Sequence, residues 1–192
     1  MVAISKDEDE QVCWSVLKSD TVYDTGQHLR IVRQTVGLPE GQIVDDYYRI
    51  DLPSFTAVYA FTEKDEVLLL RQYKHGVGKV CLTLPGGQID AGEDPEFSAR
   101  RELLEETGYG GGRWTTGPAL VVHGNQRIAR AHIFLARHVF QLSQANSGDL
   151  EDANVVTMRH EDVRRSILAG ELPVSSHMAA FGVAEALFAE GT

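Results

Sequence analysis

Glu102, Glu105 and Glu106 fall within a five-residue window of "LPGGQIDAGEDPEFSARRELLEETGY", residues 84–109. On a helix, at about 100° per residue, Glu105 and Glu106 lie within roughly a third of a turn of Glu102. Like charges at this spacing cost only about a few tenths of a kcal/mol each, so a solvated helix face would tolerate them. A divalent cation would be a stronger reason for the cluster. Mg²⁺ takes oxygen ligands and combines a few carboxylates with waters and substrate phosphates.

The carboxylates need a helix to carry them, and the flanking residues supply its ends. Asp94 can act as N-cap, Pro95 suits the first helical position, and Gly108 suits the C-terminal cap. On the wheel, Phe97, Leu103 and Leu104 fall opposite the acids, where they are expected to pack into the core. "PGGQIDAGED" before the helix reads as a long turn, and "KVCLTL" before that as a strand.

"CWSVLKSDTVYDTGQHLRIVRQTV" and "DDYYRIDL" alternate apolar and polar residues, as antiparallel strands do. "FTAVYAF" and "VLLLRQY" read as a hairpin around "TEKDE". "ALVVHG", "RAHIFLARHVF" and "NVVTMRH" complete the strands, and two helices finish the chain. Strands around one central helix predict a mixed α/β or α+β fold.

At 192 residues and 43% hydrophobic the chain suits one sizeable core. It has no apolar run near the roughly 20 residues that span a bilayer. Its start, "MVAISKDEDEQVCWSV", is acidic where a signal peptide would be basic and then apolar. Residues 1–10 are expected to be disordered. The formal net charge of −10 argues against nucleic acid or an anionic membrane as partner. Cys13 and Cys81 read as two reduced thiols, and the expected location is cytoplasmic. "GYGGGR" follows a helix and not a strand, so it reads as a helix exit and not a dinucleotide loop. His123, His132 and His138 are too irregularly spaced to form a metal trio.

From Gly87 the order is Gly, five residues, Glu93, seven residues, Arg101-Glu102, Leu103, one residue, Glu105-Glu106, Thr107, Gly108, Tyr109. This resembles the Nudix box, G-x5-E-x7-R-E-U-x-E-E-x-G-U with U apolar. At average residue usage, chance agreement of its fixed positions at one starting point is on the order of 10⁻⁹ to 10⁻⁸. Tyr109 stands where an aliphatic residue is more usual. Looser similarity in "VLLLRQYKHGVGK", "LPGG", "AHIFLARHV" and "SSHMAAFGVAEAL" is to the ADP-ribose and nucleotide-sugar pyrophosphatase branch.

The resemblance implies a Nudix fold, an αβα sandwich around a mixed sheet. It implies an N-terminal antiparallel strand extension over 11–52 that dimerises, and a hydrolase domain over 53–192. It implies Mg²⁺-dependent hydrolysis of a nucleoside diphosphate linked to another group, with Mn²⁺ as a substitute metal. Glu102 and Glu106 would be the main metal ligands, joined by the Gly86 carbonyl. Glu105 would be a third ligand or would orient a metal-bound water. Glu93 and Arg101 would be a structural pair, with Gly87 and Gly108 the glycines of the box. A catalytic base would come from "SGDLEDA", with Glu151 ahead of Asp149. Arg71, Lys74, Arg127 and Arg130 would meet the substrate.

Relatives in this branch often have Arg at the Lys74 position, and commonly Glu where Thr83 stands and Pro where "VHGNQ" runs. ADP-ribose, a nucleotide sugar and another dinucleoside diphosphate therefore all remain open as substrates. A Nudix-fold nucleotide sensor without turnover is the alternative to an enzyme.

Overall fold

In the computed structural model, which describes residues 13–146, 148 and 153–189, the alternating segments near the start form three antiparallel strands. They are β1 (Ser15–Asp24), β2 (Arg30–Gly37) and β3 (Ile43–Asp51), in the order β1-β2-β3. Residues 1–10, Asp149, Glu151 and Asp152 lie outside the described residues. The sheet belongs to one of two compact units, which comprises the chain up to Pro53 together with Val121–Ala129. Within that unit β2 buries Val32, Gln34 and Val36 on one face, as a period of two requires. Tyr47 Oη donates to the Asn125 carbonyl at 2.8 Å, and the Trp14 and Tyr47 rings meet edge-on.

The second unit comprises Ser54–Leu120 and the chain from Arg130 onward. Its main elements are β4 (Phe55–Thr62), β5 (Glu66–Lys74), β6 (Lys79–Thr83), α1 (Pro95–Thr107) and β7 (Tyr109–Gly110). They are followed by β8 (Arg113–Val122), β9 (Ala129–Gln141), β10 (Asn154–Arg159), α2 (His160–Leu168) and α3 (Ser175–Ala189). The strands run in the order β10-β5-β4-β9-β7, with β6 on β5 and β8 on β9. β4 and β9 are parallel and the other registered pairs antiparallel, so the sheet is mixed.

β4 reads as a continuous apolar run because both its faces are covered. Val58 and Ala60 join Ala99 and Leu103 of α1 in the core, with Leu68 and Phe134. Their neighbours Tyr59 and Phe61 meet Phe181 and Phe188 of α3 edge-on, with ring centroids 6.0 and 5.1 Å apart. Helices thus cover opposite faces of one sheet.

The caps of α1 are as the sequence predicts. Asp94 accepts from the Glu96 and Phe97 amides at 3.0 Å, Pro95 opens the helix, and Gly108 closes it at φ 77°. The buried face is not. Leu103 is in the core, but Phe97 is 63% and Leu104 37% exposed. The stripe that meets the sheet runs through Ala99, Leu103 and Glu106 instead. Phe97 and Leu104 project about 120–160° from it at 100° per residue, so neither side chain joins the stripe packed on β4. The core face and the acidic face are therefore adjacent sectors that share Glu106.

The chain leaving β6 is laced to the start of β4. Val58 N–H donates to the Pro85 carbonyl, Thr56 N–H to Gly87, and Ile89 N–H to Ser54, each at 2.9 Å. These bonds fix the height of the Pro85–Gly87 turn against the sheet.

Candidate active site

Gly86 has φ 142°, and a Cβ there would stand 2.2 Å from the Thr56 carbonyl oxygen, so only glycine fits. Its N–H donates to Glu106 Oε2 at 2.7 Å. That bond explains how a carboxylate only 7% exposed can belong to the buried stripe of α1. A Cβ on Gly87 would stand 2.5 Å from the Glu102 carboxylate, so the second glycine leaves the room that this carboxylate occupies. The turn and the helix thus bring Gly86, Gly87, Glu102 and Glu106 together.

Arg101 organises the rest. Its Nε and Nη2 grip Glu93 at 2.9 and 3.1 Å, a forked pair that ties turn to helix. Nη1 donates to Glu102 Oε1 at 2.8 Å and to Glu105 Oε2 at 2.9 Å. Glu93 also accepts from the Asp90 amide at 3.0 Å. The Arg101 guanidinium holds the Glu93 carboxyl down to about 2, and the same contacts push Arg101 further up. Glu93 and Arg101 are thus joined as a pair, while Glu102 and Glu105 share the cation's other edge.

Glu105 is the most open of the box acids, its side chain 42% exposed against 15% for Glu102. Its carbonyl accepts from the Asn146 amide at 2.7 Å, and the Gly108 carbonyl accepts from Leu142 and Ser143. The chain toward Asp149 and Glu151 therefore starts from the C-terminal end of the acidic helix, while those two acids lie outside the described residues. Among the described residues no three His, Cys, Asp or Glu side chains stand ready as a metal cage. One oxygen each of Glu102 and Glu105 accepts from Arg101, and one oxygen of Glu106 accepts from the Gly86 N–H. Their donors are oxygen only, the kind a hard cation such as Mg²⁺ takes, and the room beside Gly87 already accommodates one of them.

A pocket of about 530 Å³ is lined by Gly86 together with Gln72 and Lys74 of β5 and His177 of α3. Gln72 Nε2 donates to Thr83 Oγ1 at 2.8 Å, so Thr83 is occupied within the core. Arg71 sits between buried neighbours but is itself exposed, on the opposite face of β5 from Gln72. Arg130 is exposed on β9, where it and burial lower the His132 pKa, burial more strongly. Arg127 belongs to the other unit, in a tight turn at φ 49°. Of Arg71, Lys74 and Arg130, which share this unit, Lys74 lines the pocket beside the box.

His177 is a pocket residue that sequence reasoning passed over. Its Nδ1 accepts from the Leu84 amide at 3.2 Å, 93 residues away, and no local pattern announces that contact.

The model of the NUDIX domain matches residues 52–173. The chain is 26% identical over 149 residues to an ADP-ribose pyrophosphatase of Bacillus subtilis, across 77% of this chain and 80% of that one. It is 32% identical over 93 residues to a methanol dehydrogenase activator of Bacillus methanolicus, across 48% and 49% of the two chains. A crystal structure of an ADP compounds hydrolase superposes with a TM-score of 0.79 at 18% identity, covering 93% of this chain and 95% of that one.

Proposed function

The chain belongs to the NUDIX domain family, and on that premise we propose that it hydrolyses the diphosphate bridge of a nucleoside diphosphate linked to a sugar. ADP-ribose is the first substrate to test, with AMP and ribose 5-phosphate as products. The observation that carries this is the junction of turn and helix, where Gly86 N–H holds Glu106 and Gly87 makes room for Glu102. The Bacillus subtilis relative, whose named activity is on ADP-ribose, supports the substrate class.

Glu102 and Glu106, with Glu105 and the Gly86 carbonyl, would hold Mg²⁺, or Mn²⁺ in its place. Bound there, the cation would offset the charge of the diphosphate and make a bound water more acidic. Lys74 meets a phosphate oxygen as a point charge, without the fork an arginine would offer. Glu105, the open acid, orients the attacking water. Glu151, or Asp149 next to it in order, takes the proton from that water as the P–O–P bond breaks. Glu93 and Arg101 keep the turn and helix in register and touch no substrate.

Exposed Trp14, Leu17, Tyr23, Ile43 and Tyr48 in the β1–β3 unit support a homodimer built through that extension. The thiols of the exposed Cys13 and the buried Cys81 suit the cytoplasm. The test is phosphate release, with added phosphatase, from ADP-ribose, ADP-glucose, GDP-mannose, UDP-glucose, NADH and diadenosine polyphosphates, each with Mg²⁺ and with chelator. A Mg²⁺-dependent substrate from the first four is expected. Silence across the panel, with ligands still raising the thermal midpoint, would make the protein a nucleotide sensor.

A further inference from the structure

The pocket beside Gly86 has a lining that selects among ligands. Lys74 is its one lysine or arginine, and no carboxylate lines it among the described residues. Gln72, His75, Ser176 and His177 add hydrogen-bonding groups, and among the described residues Phe55 is the one carbocyclic aromatic in the lining. Val77, Leu84 and Val174 form an apolar wall, while the phosphate and hydroxyls of a sugar phosphate suit Lys74 and the hydrogen-bonding groups of Gln72, Ser176 and His177 beside it. The volume of about 530 Å³ is ample for a phosphorylated pentose or hexose.

His177 has a defined role in that lining. Because Nδ1 accepts the Leu84 N–H, the proton of the neutral ring is on Nε2. Burial, and then the charge of Lys74, pull the imidazole down to about 4, so the ring is neutral at physiological pH.

We propose that this pocket takes the sugar-phosphate half of the substrate and that His177 donates its Nε2–H to it. The assignment rests on the diphosphate hydrolysis proposed above, but product binding tests it without turnover. The probes are ribose 5-phosphate and AMP, titrated by calorimetry into the full chain with Mg²⁺. In H177N the amide oxygen stands near the place of Nδ1, keeping an acceptor for Leu84 but no donor at the reach of Nε2. In H177Q the amide nitrogen reaches nearly as far as Nε2. H177N should weaken ribose 5-phosphate about tenfold and AMP by less than about twofold, the loss of one hydrogen bond to one ligand. H177Q should recover most of that loss. On the wild-type protein, ribose 5-phosphate should move the His177 imidazole nitrogen resonances in NMR, and AMP should not.

Equal weakening of both products, or a resonance that follows AMP, would overturn the assignment. So would wild-type protein that does not bind ribose 5-phosphate. An H177N protein that binds like wild type while H177Q is impaired would reduce the residue to a tether for Leu84. Absence of turnover on every nucleotide would count against the enzyme itself, a result that these titrations do not depend on.

Discussion

Gly86 and Gly87 are adjacent, yet their replacement should fail in different ways. A methyl on Gly86 meets backbone, the Thr56 carbonyl, and the residue would keep φ 142° against its preference. Gly86→Ala should therefore lower the thermal midpoint sharply. A methyl on Gly87 meets the end of a movable side chain, the Glu102 carboxylate. Gly87→Ala should melt close to wild type while losing turnover, toward the roughly 100-fold that an ångström of misplacement can cost. Melting curves and ADP-ribose turnover on the two variants separate these outcomes. Glu93 gives a pH prediction of definite sign. Its folded-state value of about 2 lies below its ordinary 4.5, so its contribution to stability is complete above 4.5 and fades as pH falls toward 2. Glu93→Gln should therefore cost stability at pH 6 and have a shallower decline below pH 4.5, read as urea midpoints across that window.

Helix α1 shows which parts of the fold were legible in the chain. Its ends are local chemistry, a capping aspartate, a proline and a left-handed glycine, so the range 95–107 could be read directly. Its buried face depends on where the sheet lies. Leu103 is buried against it, Phe97 and Leu104 stay exposed, and Glu106 is buried because a backbone amide 20 residues earlier is there to bond it. Stability measurements should follow the observed face. Leu103→Ala should cost about 2–5 kcal/mol, as a buried leucine does, while Phe97→Ala should stay within about 0.5 kcal/mol. Asp94→Ala should cost about 1 kcal/mol through the lost cap. Equal losses at Phe97 and Leu103 in urea unfolding would mean that the helix is rotated from the orientation described.

Over the whole molecule, the box residues were legible because they lie in one turn and one helix of fixed spacing. The pocket was not, because it is assembled from β5, the turn at Gly86 and the start of α3, and only the fold makes them neighbours. The two cations of β5 illustrate the same limit. Arg71 and Lys74 are three residues apart, yet strand alternation sends Arg71 to the face opposite Gln72 while Lys74 lines the pocket. The β1–β3 unit was readable as strands from alternation alone, and its proposed assembly is a matter for light scattering on the purified chain. A mass of twice 21.2 kDa is expected, and a strict monomer would contradict the proposed dimer.

In the proposed function the acids gathered at Gly86 and Gly87 carry out a metal-dependent hydrolysis. The direct measurement is AMP formation from ADP-ribose by wild-type protein and Glu106→Gln, each titrated with Mg²⁺ after treatment with chelator. Wild-type turnover should rise from near zero with added Mg²⁺. The variant, folded by circular dichroism, should lose most of that turnover at every Mg²⁺ concentration. A folded Glu106→Gln protein with normal rates and normal Mg²⁺ dependence would contradict the assignment.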